Sequence, residues 1–529
     1  MKTKTTTRAR RNALAFSTAM FAATASFAQE VNLRSADGAV NLNGELLEFS
    51  DDSYLIRTPL GELRVAAETV TCTGDGCPAP VEFVADVVLS GSDTIAEGVL
   101  PLLLSGYSAS LGADEVVTLN DVSGELRAEL VGEEGFGDPI GSYLVRSSIS
   151  SDAFMNLLSK SAKIGMSSRP IRAEEAELLG ANGAGDMTDP AQEHILAVDS
   201  LLVVTHQNNP VNTLSTEQLR GIFSGQITNW SEVGGNDANI MVVNIREGSG
   251  TRSTFESRLY NGSAAGGTPP FQSRAQGNTD AAALVNENEN AIGYVSFAFK
   301  RGTKPLTLFN ECGLEMVPDA FSARTEEYAL QRFLYLYSRA DTRDRATTDF
   351  VEFATSQAAD QVIAKSGFVD LGVSRKEQVL DSQRARQLLD PNAPQTEGNL
   401  MRDMLSQMTQ FDRLSSTFRF RTGSSTLDAR GLLNLKRLAS YLEEQPEGSR
   451  VVFAGFTDEV GSFSNNRALA VGRAEQVLQQ MRSTAPEVMG RMQTSILGYG
   501  EIAPVGCNET EAGRANNRRV EVWIEKADG

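Results

Sequence analysis

Arg246-Glu247-Gly248-Ser249-Gly250-Thr251-Arg252 stands between an apolar, strand-like run, Ile240-Met241-Val242-Val243, and a helical pattern carrying Phe255 and Leu259. A guanidinium followed by hydroxyls and glycines at a helix start is rich in donors. Free helix N–H groups, hydroxyls and an arginine that grips two oxygens are what a dehydrated oxyanion requires. Outward from this turn, between residues 83 and 378, strand-like runs such as Ile195-Leu196-Ala197-Val198 and Leu201-Leu202-Val203-Val204 alternate with helical periodicity. That alternation predicts an α/β fold.

Three more segments repeat the chemistry. Gly91-Ser92-Asp93-Thr94 precedes a helical pattern through Leu100 and Leu104, and Ser147-Ser148-Ile149-Ser150-Ser151 precedes Phe154, Leu157 and Leu158. Gly165-Met166-Ser167-Ser168-Arg169-Pro170 is a serine-rich turn. Taken singly, each reads as a helix N-cap, and Arg246 or Arg252 alone as a surface charge.

Their order matters more. So do Val198-Asp199-Ser200-Leu201-Leu202-Val203-Val204-Thr205-His206, Leu214-Ser215-Thr216-Glu217-Gln218-Leu219, Ile222-Phe223-Ser224-Gly225-Gln226-Ile227-Thr228-Asn229-Trp230 and Ala291-Ile292-Gly293-Tyr294-Val295. Together these segments resemble the phosphate-binding protein family of phosphate ABC transporters. The resemblance implies a two-lobed, type II periplasmic-binding-protein fold that closes like a hinge over inorganic phosphate, with an ABC permease as a candidate partner. It places anion contacts at Ser92, Thr94, Ser150, neighbouring Ser151, Ser168, Arg246, Ser249, Gly250 and Thr251. The family's pattern carries an aspartate between the arginine and the Ser-Gly-Thr turn, and this chain is one residue shorter there. Asp93 or Glu247 is left as the acceptor for the P–OH proton that separates phosphate from sulfate.

At the other end, Phe418-Arg419-Phe420 alternates like a strand, and a helix follows with Leu432, Leu435, Leu438, Ala439 and Leu442 on one face. Val451-Val452-Phe453-Ala454 is the next strand, a helix covers about 465–481, and strands near 494–498 and 520–524 complete an α/β unit. Thr457-Asp458-x-x-Gly461, Asn466-x-x-Leu469, Arg473-Ala474-x-x-Val477, Gly498-Tyr499-Gly500-Glu501-x-x-Pro504 and Asn517-Arg518-Arg519-Val520-Glu521 come in that order. They resemble the OmpA-like domain family, which implies binding of peptidoglycan through its diaminopimelate stem peptide. An ammonium and a carboxylate on one carbon call for a fixed carboxylate and a fixed guanidinium. The resemblance assigns these to Asp458 and Arg473, with Asn466 completing the pocket and Arg518 as a further candidate. Phe456 stands where the family commonly has histidine.

The remainder sets the context. Residues 1–28 read as an export signal: Lys2, Lys4, Arg8, Arg10 and Arg11, then an apolar stretch ending in Ser26-Phe27-Ala28. Losing those five positive charges takes the formal charge from −20 to −25, which disfavours nucleic acid as a partner. No later apolar run is long enough to span a membrane. The expected location is the periplasm, at the cell wall or outer membrane. Residues 29–82 read as a small β-rich unit ending in a Cys72/Cys77 loop disulfide. With only His194 and His206 in the chain, a metal site there is poorly supplied. Cys312 and Cys507 are left either paired between domains or free.

Residues 379–414, with Pro391 and Pro394, read as a linker ending in a short amphipathic helix around 401–408, and 415–529 as the last domain. Nothing forms a nucleophile–base set, so neither catalysis nor a cofactor is expected. The chain therefore reads as a phosphate-capturing protein held to peptidoglycan. The alternative is a structural or adhesive envelope protein whose central domain no longer binds anion.

Overall fold

A computed structural model describes residues 30–35, 40–50, 53–78, 84–120, 125–132, 140–260, 262–263, 266–389, 394–420, 427 and 429–526. The export signal expected at 1–28 lies outside them. The chain divides into two compact units, Met1–Val84 and Ala85–Gly529.

In the first unit, strands order as Gly61–Ala66, Ser53–Thr58, Asn41–Ser50, Glu30–Arg34 and Thr71–Thr73, and every pairing is antiparallel. Alternation turns Val31, Leu33, Tyr54 and Ile56 to one face, where they bury with Val70. Cys72 and Cys77 are bonded across the loop that follows.

The second unit is organised by two crossing strands. Glu193–Thr205 pairs with Gln331–Ser338 along its first half and with Ala291–Ser296 along its second. One sheet path thus runs from Gln272–Ala275, Met241–Ile245 and Ala291–Ser296 through the crossing pair. It continues to Ile164–Ser167, Val87–Ser92 and Gly141–Ser148. The strands on either side of the crossing pair, with their helices, are the two lobes of a type II periplasmic-binding-protein fold. The sequence suggested two short strands where one continuous strand stands. The polar pair Asp199-Ser200 separates the two apolar runs, yet both residues are buried in mid-strand.

A second five-stranded sheet lies near the C-terminus, ordered Arg375–Lys376, Phe411–Arg419, Arg519–Glu525, Arg450–Phe456 and Gln493–Gly500. Helices Ala429–Glu443 and Phe463–Thr484 cover one face through Leu435, Leu438, Leu442, Ala474, Val477 and Met481. Leu432, expected on that face, is exposed instead.

The segment expected as a linker differs most. Its helix, Gln395–Gln410, packs Leu400, Met404 and Met408 against the other sheet face, beside Phe456, Tyr499 and Trp523. Residues spaced by four form one stripe on a helix. Burying each side chain is worth roughly 1.5–3 kcal/mol, enough to hold the segment down. Arg375–Lys376 adds an edge strand to the same sheet, so the described parts of this segment, 379–389 and 394–414, are built into the C-terminal domain.

That domain is fixed to both lobes. Arg437 donates to Asp360 of the first lobe at 2.7 Å, and Cys507 is bonded to Cys312 on a loop of the second. Leu433 packs beside Val198 of a crossing strand.

Candidate functional site

Three helix starts meet where the lobes face each other. Asp93–Gly98 and Ser150–Leu158 come from the first lobe, and Gly250–Leu259 comes from the second. Ser92 and Ser249 occupy N-cap positions, but neither hydroxyl makes the usual cap bond. Both Oγ atoms are buried without a hydrogen-bond partner, as is Arg246 Nε. Buried polar groups are usually paired, so these three donors at the facing helix starts are free to meet a group between the lobes.

The contacts between lobes are close. Thr94 Oγ1 lies 3.4 Å from Thr251 Oγ1. Ser150 and Ser168 share a hydrogen bond of 3.2 Å, and a Cβ at Gly250 would sit 2.2–2.3 Å from their two hydroxyl oxygens. Arg246 Nη2 donates weakly to Ser148 O at 3.5 Å. Ser92, Thr94, Ser150, Ser168, Arg246, Ser249, Gly250 and Thr251 therefore share one cradle. Ser151 does not join it, because its hydroxyl accepts from Arg169, which is held by Glu175.

Of the two carboxylates considered as acceptors, Glu247 is 77% exposed and points to Arg252 and Arg274. Asp93 lies at the cradle, where its Oδ1 accepts from the Thr94 N–H at 2.7 Å. Burial pushes its carboxyl above the ordinary range, against the pull of that N–H and of Arg332 and Arg246. Beside it an interlobe cavity of about 830 Å³ opens, lined by Asp93, Glu97 and Ser147 from one lobe and Arg246, Gly277 and Asp280 from the other.

Two residues escaped the sequence reading. Arg332, on a crossing strand, pairs with fully buried Asp199 at 2.9 Å and reaches Thr94 Oγ1 at 3.4 Å. Asn278 Nδ2 lies 3.0 Å from Thr94 Oγ1 and 3.3 Å from Thr251 Oγ1. The available signal was a charge inside an apolar strand, in Gln331-Arg332-Phe333-Leu334 and again at Asp199.

In the C-terminal domain, Asp458 follows the strand Arg450–Phe456. Its carboxylate accepts from Arg518 at 2.8 Å and its backbone oxygen from Asn466 at 3.2 Å. Asn466 also reaches Glu501. The Arg473 guanidinium lies 5.5 Å from the Phe420 ring with Nη1 buried and unpartnered. Burial and then neighbouring Arg518 lower its affinity for a proton, and Asp458 opposes them. Phe456 is buried against Tyr499 in the sheet core. Among the described residues, the one group close enough to hold a metal is Cys312, Cys507 and Glu509, whose two sulfurs are bonded to each other.

Residues 70–358, more than half of the chain, match the model of the PBP superfamily domain. The chain belongs to that superfamily. Residues 419–518 match the OmpA family, so an OmpA domain forms the C-terminus. Among curated proteins the chain is similar to the phosphate-binding protein PstS of Borreliella burgdorferi, with 25% identity over 42% of this chain and 77% of that one. The PstS of Bacillus subtilis is 26% identical over 39% of this chain and 65% of its own length. Among solved structures, an ABC-type phosphate transport receptor from Vibrio cholerae aligns over 54% of this chain and 99% of its own, with 26% identity and a TM-score of 0.39. PstS from Borrelia burgdorferi aligns over 54% and 98%, with 20% identity and a TM-score of 0.35. These similar proteins are named as binding and transport receptors, not as enzymes.

Proposed function

We propose that this chain is a periplasmic oxyanion-binding protein that takes inorganic phosphate between its lobes and is held non-covalently to peptidoglycan by its OmpA domain. Linkage to an ABC permease for phosphate uptake is part of the proposal, in line with the names of its relatives. The observation that carries it is the trio of orphaned donors, Ser92 Oγ, Ser249 Oγ and Arg246 Nε, converging from opposite lobes. In the bound state Ser92, Thr94, Ser249 and Thr251 donate to phosphate oxygens and Arg246 bridges two of them. Asp93 takes up or returns the P–OH proton, and Ser150 and Ser168 close the far side. At the wall, Asp458 meets the stem-peptide ammonium and Arg473 its carboxylate.

Isothermal titration of the full chain with phosphate, and separately with sulfate, tests the capture half. Saturable heat with phosphate that is weak or missing with sulfate is expected. No heat with either anion refutes it and leaves a structural role for the domain.

A further inference from the structure

Asn278 begins the helix Asn278–Glu287 in the second lobe and is 2% exposed. Chemistry fixes which way its amide points. Oδ1 accepts from the backbone N–H of Ser296 at 2.9 Å, a group that can only donate. The Nδ2 end must therefore face the hydroxyls of Thr94 and Thr251. Thr94 Oγ1 also lies near Arg332 Nη2, another group that can only donate. Arg332 is held in turn by Asp199, whose second oxygen accepts from Ser296 Oγ at 2.7 Å.

A hydroxyl has one hydrogen and two lone pairs. Both lone pairs of Thr94 face obligate donors, so its hydrogen has to leave in another direction. It points toward Asp93 Oδ1 or Thr251 Oγ1, each 3.4 Å away, or into the cradle. If it turns to Thr251, that hydroxyl, already taking Asn278, must pass its own hydrogen onward. Whichever way Thr94 turns, Thr251 accepts from Asn278 and finds no free lone pair on Thr94, so its own hydrogen is left to face the ligand. The ring Asp199–Arg332–Thr94–Asn278–Ser296 closes only when the lobes meet, because Thr94 belongs to one lobe and Asn278 to the other.

We propose that Asn278 and Arg332 are positioning residues that hold Thr94 and Thr251 as hydrogen-bond donors, making this side of the cradle specific for unprotonated anion oxygens. The inference rests on the oxyanion reading above and leaves the ligand's P–OH to Asp93, the carboxylate beside Thr94.

Asn278→Asp tests it, because the change is nearly isosteric but offers the hydroxyls an acceptor. They would then turn from the anion to the introduced carboxylate. Relative to wild type at pH 8, phosphate affinity should fall about 30-fold or more, a loss set by a buried hydrogen bond and a like charge. That ratio should shrink toward pH 5 as the introduced carboxyl regains a proton. Unchanged affinity overturns the proposal, and so does a loss that is the same at both pH values, since a merely structural defect would behave that way. If the Asp variant fails to fold by circular dichroism, Asn278→Ala replaces it, with about tenfold weaker binding expected. Wild-type binding from Asn278→Ala overturns the proposal. Failure of the wild-type protein itself to bind phosphate overturns the oxyanion reading instead.

Discussion

Arg518 donates to Asp458 at 2.8 Å, so the acid assigned to a ligand ammonium already carries a guanidinium. Arg473, assigned as its counterpart, keeps a buried Nη1 without a partner. Two arginines thus stand beside Asp458: Arg518, which orients it and also reaches Glu511 at 3.1 Å, and Arg473, whose donor would be left for a ligand carboxylate. Asp458→Ala and Arg473→Ala should each weaken binding to purified sacculi by tenfold or more, the loss of a charge-assisted bond of about 1.5–3 kcal/mol. Arg518→Lys keeps the charge and should weaken it less. Co-sedimentation measures all three, and full retention of Arg473→Ala on sacculi would refute its role.

Gly250→Ala is the sharpest probe of lobe closure. The added methyl would meet Ser168 Oγ at 2.2 Å and Ser150 Oγ at 2.3 Å, both across the cleft. Neither clash arises while the lobes are apart, so folding should be spared and closure blocked. Phosphate affinity should drop by at least about 100-fold, a closure penalty near 3 kcal/mol. The thermal midpoint without ligand should move by no more than a few degrees. Wild-type affinity in this variant would show that the turn does not approach the opposite lobe.

The cradle was legible because its donors cluster in short runs at helix starts, and local order in sequence becomes local order in space. Ser92, Thr94, Ser249 and Thr251 were found that way. Arg332 and Asn278 were not, because each acts on a partner more than 180 residues away, Thr94, through pairing that only the crossing strands create. Ser151 was misplaced for a simpler reason. Adjacent helix residues project in different directions, so Ser150 turns inward while Ser151 meets Arg169. The linker reading found the amphipathic helix, Gln395–Gln410, but not the sheet it packs on. Pro391 and Pro394 suggested an open chain, but the Leu400, Met404 and Met408 stripe had a sheet face waiting for it.

The Cys312–Cys507 bond ties the OmpA domain to the second lobe across 195 residues of sequence. Limited trypsin digestion at exposed Arg386, which lies between the two cysteines in sequence, should give fragments that stay together on a non-reducing gel. They should separate once dithiothreitol is added. Separation without reductant would refute the pairing. Closing so long a loop is worth roughly 5 kcal/mol in the chain-entropy picture. The double variant Cys312→Ser, Cys507→Ser should therefore melt several degrees lower.

His194 gives the chain an acid-sensitive point away from both sites. Its Nε2 lies 3.5 Å from Ser338 Oγ on the neighbouring crossing strand. Burial, and then the nearby Arg343 charge, push its imidazole down to about 4. An unfolded histidine takes its proton near 6.5, so between these values the unfolded chain binds more protons than the folded one. Stability from this group is therefore complete above about pH 6.5 and is lost as pH falls toward 4. Going from pH 7 to pH 5 should cost the wild type about 2 kcal/mol more than His194→Gln, which carries no titrating ring. Urea midpoints of both proteins at the two pH values give the comparison, and equal losses would mean that the imidazole is not held neutral by the fold.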